Sequence, residues 1–147
     1  MSETPFEVVR YGKVSFVDYK KGTARVVFED RDDSVSPELP VMQKNTLNNK
    51  FYWMPEVDET AICLYLANGQ ETGVIIGTIY SEVDRPPTEK KEDGVWFEDG
   101  TFVKYEHETK TLSINCAGKI EIHADEEITI TSNRTVTTID STGGGTT

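Results

Sequence analysis

The residues best suited to chemistry in this chain are two histidines, His107 and His123, and two cysteines, Cys63 and Cys116. Imidazole and thiolate groups bind transition metals or support nucleophilic catalysis, and they do so in sets with short, characteristic spacings. The chain contains no His-x-His, Cys-x-x-Cys or His-Glu-x-x-His sequence. We therefore predict no metal site, expect both cysteines to be buried and reduced, and expect His123 to face solvent.

Other catalytic signatures are also missing from the sequence. There is no Gly-x-Ser-x-Gly elbow, and the segment from Gly69 to Gly77 is not followed by the Gly-Lys-Ser/Thr of a phosphate-binding loop. The 26 Asp and Glu residues make accidental carboxylate pairs certain, so such pairs say nothing about acid–base catalysis. We predict no catalytic residues, no cofactor and no enzyme activity.

The net charge of the chain bears on whether it binds nucleic acid. Its 147 residues include 15 Lys and Arg against 26 Asp and Glu, which gives a formal net charge of −11. Such a chain repels a phosphate backbone, so nucleic acid is not expected as a partner. No apolar run approaches the ~20 residues that span a bilayer. Residues 1–5 lack the basic and apolar regions of a signal peptide, so we expect synthesis and assembly in a cytoplasm.

The most regular sequence pattern in the chain is a repeat between Thr111 and Asp140, and it predicts the secondary structure that would position any site. Pairs of apolar residues separated by one polar residue recur every eight positions, as in Leu-Ser-Ile, Ile-Glu-Ile and Ile-Thr-Ile. This alternation is typical of short strands with one apolar and one polar face, and the segments between them are turn-prone or charged. The apolar column of the repeat consists of Leu112, Ile114, Ile120, Ile122, Ile128, Ile130 and Val136.

The repeat offers too few apolar side chains for a core of its own. One interpretation is an antiparallel meander that packs on the first half of the chain. The other is that identical copies wind around a common axis with the apolar column pointing inward, because a repeat unit that cannot bury its face alone must stack on neighbours. We favour the second, since each buried aliphatic side chain contributes ~1.5–3 kcal/mol.

Residues 1–80 contain about five short strands joined by Gly-containing turns, with almost no helical periodicity. Five short strands of this kind are typical of a small closed or partly open barrel, such as an OB-fold. Gly77, inside the last strand, indicates a bulge or a tight bend. The aromatic run Phe51, Tyr52 and Trp53 would either plug the barrel or form a surface that a partner covers. The predicted strands are Gly12–Asp18, Thr23–Glu29, Leu39–Met42, Thr60–Leu66 and Val74–Tyr80.

The second half begins after a polar segment. Residues 81–94, with Pro86-Pro87 and little apolar content, are predicted to be a stiff, solvated linker. Residues 95–105 then form two aromatic-rich strands around Asp99-Gly100, a strong hairpin signal. We expect residues 95–140 to form this hairpin and the β-helix. Residues 141–147, rich in glycine, are expected to be a flexible tail.

Several of these segments, in this order, resemble the phage baseplate assembly protein V family, the central spikes of contractile tails and related injection devices. The resemblance rests on Glu71 to Tyr80, Pro86-Pro87, Asp99-Gly100-Thr101, the stretch from Tyr105 to Leu112 and the octads that contain Gly118. It implies an all-β chain with an N-terminal OB-fold barrel and a C-terminal intertwined trimeric β-helix. It further implies a homotrimer that docks on a baseplate hub protein and lies in the virion tail baseplate.

Two departures from the family refine these expectations. Some relatives end in a His-x-His apex that binds iron, whereas this chain ends in a Gly-rich tail, which suits a separate small tip protein. Others carry a lysozyme domain for which the linker here is too short. The function implied by the resemblance is mechanical, namely piercing of the target cell envelope. The alternative is an OB-fold binding module for single-stranded nucleic acid or oligosaccharide, in which the aromatic run stacks on the ligand.

Overall fold

The structure is a computed structural model that describes residues 8–66, 72–134, 136–139 and 145–146. The described residues form twelve β-strands, a single 3-10 turn at Glu29–Arg31 and no α-helix, so the predicted all-β class is confirmed. All pairings between strands are antiparallel. The chain divides into two compact units, Met1–Pro86 and Pro87–Thr147, which we call unit 1 and unit 2.

Unit 1 is a single sheet of six strands. Its first hairpin turns at residues 19–22, where Gly22 takes a positive φ of 69°, as the sequence predicts. The Asp18 carboxylate holds this turn by accepting hydrogen bonds from the backbone N–H groups of Lys20 and Lys21, both at 3.0 Å. The strands are β1 Val9–Asp18, β2 Thr23–Phe28, β3 Ser34–Val35, β4 Leu39–Pro40, β5 Thr60–Tyr65 and β6 Gly73–Ile79.

The pairings of unit 1 run in a closed circuit. The sheet order is β3-β2-β1-β5-β6, and β4 pairs with β2 outside this path. The residue after β4, Val41, makes a parallel bridge to Ile75 of β6, and the Met42 N–H donates to the Ile75 carbonyl at 2.8 Å. The path therefore returns from β6 to β2 through the end of β4. Curving the sheet back on itself in this way buries its inner face without a helix to cover it, although among the described residues β6 meets the end of β4 only through Ile75.

Two bulges bend the unit 1 sheet. In β1 the register with β2 shifts between Val14 and Phe16, and Phe16 is exposed, although the sequence pattern assigns it to the face of Val14. In β6 the register with β5 shifts at Ile76, one residue before Gly77, which confirms the predicted bulge. An extra residue in one strand increases local twist and reverses the facing of the residues that follow.

The core of unit 1 follows the two-residue period of its strands. Alternate residues of β2 and β5 point inward, and Gly12 has no Cβ because that atom would lie 2.5 Å from the Val27 carbonyl oxygen. The Arg10 guanidinium lies over the Tyr65 ring at 4.8 Å. The buried apolar residues are Val14, Ala24, Val26, Phe28, Leu39, Ala61, Cys63, Tyr65 and Ile75.

Unit 2 contains two three-stranded antiparallel sheets, in the orders β7-β8-β9 and β10-β11-β12. The predicted hairpin is present, and its turn has Gly100 at φ 89° and the Asp99 carboxylate accepting from the Thr101 N–H at 2.9 Å. The strands are β7 Glu92–Trp96, β8 Phe102–Glu106, β9 Thr111–Asn115, β10 Ile128–Thr131, β11 Val136–Ile139 and β12 Gly145–Thr146.

Unit 2 differs from the sequence expectation at both of its ends. Strand β7 begins at Glu92, inside the predicted linker 81–94, because its polar residues pair with the opposite strand through the backbone. Gly145–Thr146, inside the predicted flexible tail, pair with β11. Thr147 and residues 140–144 lie outside the described residues. Backbone pairing needs no apolar side chain, so hydropathy does not reveal these extensions.

Candidate interaction surfaces

Unit 2 has no buried core within a single chain. All the buried apolar residues that the structure describes belong to unit 1, and none lies in unit 2. Isolated two- and three-stranded sheets need a covered apolar face to be stable in water. The exposed apolar surfaces of unit 2 are therefore the first candidate for a functional site.

The sheet β7-β8-β9 has one apolar face. Its register places Val95, Val103 and Ile114 side by side in one row, with Tyr105 and Leu112 in the row two residues away. Four of them are exposed, from 37% at Val95 to 66% at Leu112, and Tyr105 is half-buried. We call these five residues the apolar face of unit 2. Val95, Val103 and Tyr105 are not in the predicted apolar column, and the signal that finds them is two-residue alternation combined with the register of the Asp-Gly hairpin.

The opposite face of this sheet combines polar side chains with Trp96 and Phe102, which are half-buried and pair directly across β7 and β8. Lys104 pairs with Glu92 at 2.9 Å, and its ammonium group lies 5.0 Å from the centre of the Phe102 ring. The Glu92 side chain is only 5% exposed, and the hydrogen bond from Lys104 lowers the pKa of this carboxyl below its ordinary value. The two faces therefore differ in their contacts: on the apolar face the Tyr105 ring packs against His107, whereas Leu112 and Ile114 are exposed.

The structure does not bring the predicted apolar column together within one chain. Ile120 and Ile122 lie in residues 116–127, a segment with no strand partner in the described part of the chain. Val136 pairs with Thr131 and so lies on the opposite face of the β10-β11 hairpin from Ile128 and Ile130. Eight-residue stacking of Val136 on Ile128 is therefore absent from this hairpin. Ile128 is half-buried, and the exposed members of the column are Leu112, Ile114, Ile120, Ile122, Ile130 and Val136.

The second candidate surface is the aromatic run of unit 1. Phe51, Tyr52 and Trp53 are exposed at 55%, 61% and 63%, so they do not plug the interior of unit 1. The other interpretation, a surface that a partner covers, stays a prediction. Met42 and Leu47, from the same loop, are also exposed and extend the apolar surface, although sequence patterning did not single them out.

Hydrogen bonds fix the shape of this aromatic loop. The Gln43 side chain makes two 2.9 Å hydrogen bonds with the backbone of Trp53, donating to its carbonyl and accepting from its N–H. The Tyr52 hydroxyl donates to the Tyr19 carbonyl at 3.2 Å, and the Lys44 ammonium lies 5.1 Å from the centre of the Phe51 ring. A loop held in this way presents its aromatic side chains with little further loss of entropy on binding.

Of the chemically reactive residues, His107 borders the apolar face of unit 2, where its ring packs edge-on against Tyr105 with 5.0 Å between the ring centres. Cys63 is buried as predicted, and burial raises the pKa of its thiol to about 11, although the positive charge of Arg10 opposes this rise. Cys116 is only half-buried, which corrects the expectation for this residue. His123 is exposed, as predicted, with its side chain at 87%. His107 Nε2 lies 2.7 Å from an oxygen of Asp93.

Within the described residues no three His, Cys, Asp or Glu side chains are grouped as metal ligands would be. The same part of the chain contains no helix of the length and apolarity needed to cross a membrane. Neither a model of any protein family nor any curated protein matches the sequence. What these surfaces do must therefore be inferred from their own geometry.

Proposed function

We propose that the chain is the central spike of a contractile injection system, a phage tail or a tail-like bacteriocin, and that it acts as a homotrimer. The observation that carries the proposal is the lack of a buried core in the described part of unit 2 despite its periodic aliphatic residues. Two further sequence features support it, the order of motifs shared with baseplate spikes and the eight-residue repeat. The chain is then structural, and no catalytic step is required of it.

In this proposal residues 116–127 supply the strands that pair between chains. Ile120 and Ile122 alternate with polar residues as a strand requires, and they are exposed in a segment without a strand partner in the described part of the chain. Winding three copies around an axis would bury these side chains and would also pair the free backbone groups. An interlocked shaft of this kind resists fraying when it is pushed against the target cell envelope.

Unit 1 is proposed to be an OB-fold that docks on a baseplate hub protein. The circuit β1-β2-β4-β6-β5 supports this, because an OB-fold is a barrel of five strands. In chain order the third of these strands is β4 and the last is β6, and they meet in a parallel contact between Val41 and Ile75. The exposed aromatic run offers a hub a preformed surface. A small tip protein is proposed to cap the C-terminal end of the trimer, and we expect no nucleic acid among the partners.

The first test is the mass of the chain in solution, measured by light scattering on the full-length protein and on a truncation after Pro87. We expect the full-length chain to be a trimer and the truncated chain to be a monomer that keeps its fold, because unit 1 has its own core. A monomeric full-length chain would overturn the spike proposal. A truncated chain that is still trimeric would move the assembly contacts into unit 1.

A second candidate function is a binding module for single-stranded nucleic acid or oligosaccharide. The exposed aromatic run favours it, because bases and sugar rings stack on such side chains. The net charge of −11 disfavours the nucleic acid version. Titration of the protein with oligodeoxynucleotides and with oligosaccharides, followed by Trp fluorescence, separates the candidates. The binding module requires saturable quenching by one of them, whereas the spike requires none.

A further inference from the structure

A cleft in unit 1 runs beside the last strand of its sheet. It has a volume of about 290 Å³, and its floor is formed by Val41, Ile75 and Pro55. One wall is the aromatic loop, with Phe51 and Trp53. The other wall is β6, with Gly77 and Thr78. We call this hollow the edge cleft.

The strand that borders the edge cleft has an open side. Strand β6 pairs with β5 on one side, and on the other its contact in the described part of the chain is the single bridge from Val41 to Ile75. Beyond this bridge the segment that follows Val41 and Met42 leaves β6 and enters the aromatic loop. An open strand edge offers backbone N–H and C=O groups to an added strand, and apolar pockets beside it select the side chains of that strand.

The edge cleft continues into an acidic hollow. A second cavity of about 340 Å³ shares Glu59 and Thr78 with the first and extends along Ile79. Its lining includes two further carboxylates, Glu56 and Asp84. No Lys or Arg among the described residues forms an ion pair with these three carboxylates.

Local hydrogen bonds fix the Glu59 carboxylate and the backbone at Glu56 and Asp84. The Glu59 carboxylate accepts a hydrogen bond from the Glu56 N–H at 2.9 Å. Asp84 lies in a turn in which its N–H donates to the Ser81 hydroxyl at 2.9 Å and its carbonyl accepts from the Ser81 N–H at 2.9 Å. The free edge of β6 therefore passes from an apolar hollow at Ile75 to an acidic one at Ile79.

We propose that the edge cleft binds an extended segment of a partner protein that adds to β6, with apolar side chains beside Trp53 and basic side chains beside Glu56, Glu59 and Asp84. The charge of the acidic hollow selects Lys or Arg, and the apolar hollow selects aliphatic residues. Because alternate residues of a strand share a face, the selected residues are spaced two apart in the partner. The edge cleft lies in unit 1 and shares Trp53 with the surface proposed to dock on the hub, but it does not depend on the trimer assembly, which rests on unit 2.

Synthetic peptides test this directly on the full-length protein. The probes are Val-Thr-Val-Thr-Lys-Thr-Lys and its reversed sequence, since the strand could add in either direction, and matched peptides with Glu in place of Lys. We expect one of the two Lys peptides to bind saturably in a fluorescence polarisation titration, and the matched Glu peptide to bind at least ~10-fold more weakly, a difference of ~1.4 kcal/mol. In NMR spectra the Lys peptide should shift the backbone amides of residues 77–80 and the Trp53 indole N–H.

Two variants separate the edge cleft from general attraction to an acidic protein. The double variant Glu56→Lys, Asp84→Lys changes exposed residues in the acidic hollow, and we expect it to weaken binding at least ~10-fold. The control Glu98→Lys, Glu108→Lys makes the same change in net charge on exposed residues of unit 2 and should leave the affinity within about twofold.

Three results would overturn the proposal. The first is no saturable binding of either Lys peptide at millimolar concentration. The second is equal binding of the Lys and Glu peptides. The third is equal weakening by the two double variants, which would show nonspecific charge attraction. None of these outcomes bears on the mass of the full-length chain, so failure here and failure of the spike proposal are distinguishable.

Discussion

Substitution of Ile122 by Asp is the most informative single change to the proposed assembly. Ile122 is 73% exposed in one chain and lies in the segment without a strand partner. If three copies bury it at the axis, the aliphatic contribution lost is about 1–2 kcal/mol per chain and about 3–7 kcal/mol per trimer, from ~1.5–3 kcal/mol for full burial of such a side chain. This loss alone lowers the association constant by about two to five orders of magnitude.

The introduced carboxylates add to this penalty, because three like charges would meet near the axis without partners. We therefore expect Ile122→Asp to be monomeric by light scattering at micromolar concentration. Unit 1, whose core excludes this residue, should still unfold cooperatively in urea. The matched control is His123→Asp, which places the same charge one residue away on a side chain that is 87% exposed, and it should remain trimeric.

Two outcomes would refute the reasoning. An Ile122→Asp chain that is trimeric at the same concentration as the native chain would show that Ile122 does not point inward. Equal dissociation of the two variants would show that charge in this segment, rather than the identity of its inward face, controls assembly.

Three further predictions concern stability and reactivity. Gly12→Ala should lower the free energy of unfolding of unit 1 by about 1–3 kcal/mol in urea titrations, because its Cβ would lie 2.5 Å from a carbonyl oxygen of β2. An unchanged free energy of unfolding would contradict this close approach. Cys63 should resist a thiol-specific disulfide reagent at pH 8 in the native state and react after unfolding, because burial raises its pKa to about 11; rapid native reaction would contradict its burial. Glu92→Gln should destabilise unit 2 at neutral pH, and the difference in stability between variant and native chain should shrink as the pH falls below 4.5. The reason is that Lys104 lowers the pKa of the Glu92 carboxyl, which contributes to stability only while it is ionised. A difference in stability that does not change with pH would argue against this pairing.

Much of the local structure could be predicted from the sequence because it depends on neighbours along the chain. Gly22 and the Asp99-Gly100 pair specify their turns through the positive φ of glycine and the hydrogen bonds of the adjacent aspartates. In β5 the buried residues are Ala61, Cys63 and Tyr65. Their neighbours Ile62 and Leu64 are equally apolar, so the sequence pattern does not show which face of the strand is buried, and the curvature of the sheet decides it. Hydropathy therefore predicted the strand but not its inner face.

The aromatic run shows a similar division. Its residue types indicated either a plug or a partner surface. The structure excludes the plug, because the side-chain amide of Gln43, ten residues away, holds the Trp53 backbone outside the core. The edge cleft had no signal in the sequence, because it is formed by residues from four separate segments that meet only when Val41 bridges to Ile75.

The sequence by itself determined the all-β class, the turns, the bulge at Gly77 and the column of aliphatic residues, because these follow from two-residue periodicity and glycine geometry. Only the tertiary structure decided that Val95, Val103 and Tyr105 share a face with Leu112 and Ile114, since register between strands is a property of the sheet. The tertiary structure also decided which apolar side chains found a core, because burial requires partners from distant segments. In unit 1 those partners come from the same chain. In the described part of unit 2 they do not, and that difference is the physical basis for the proposed assembly.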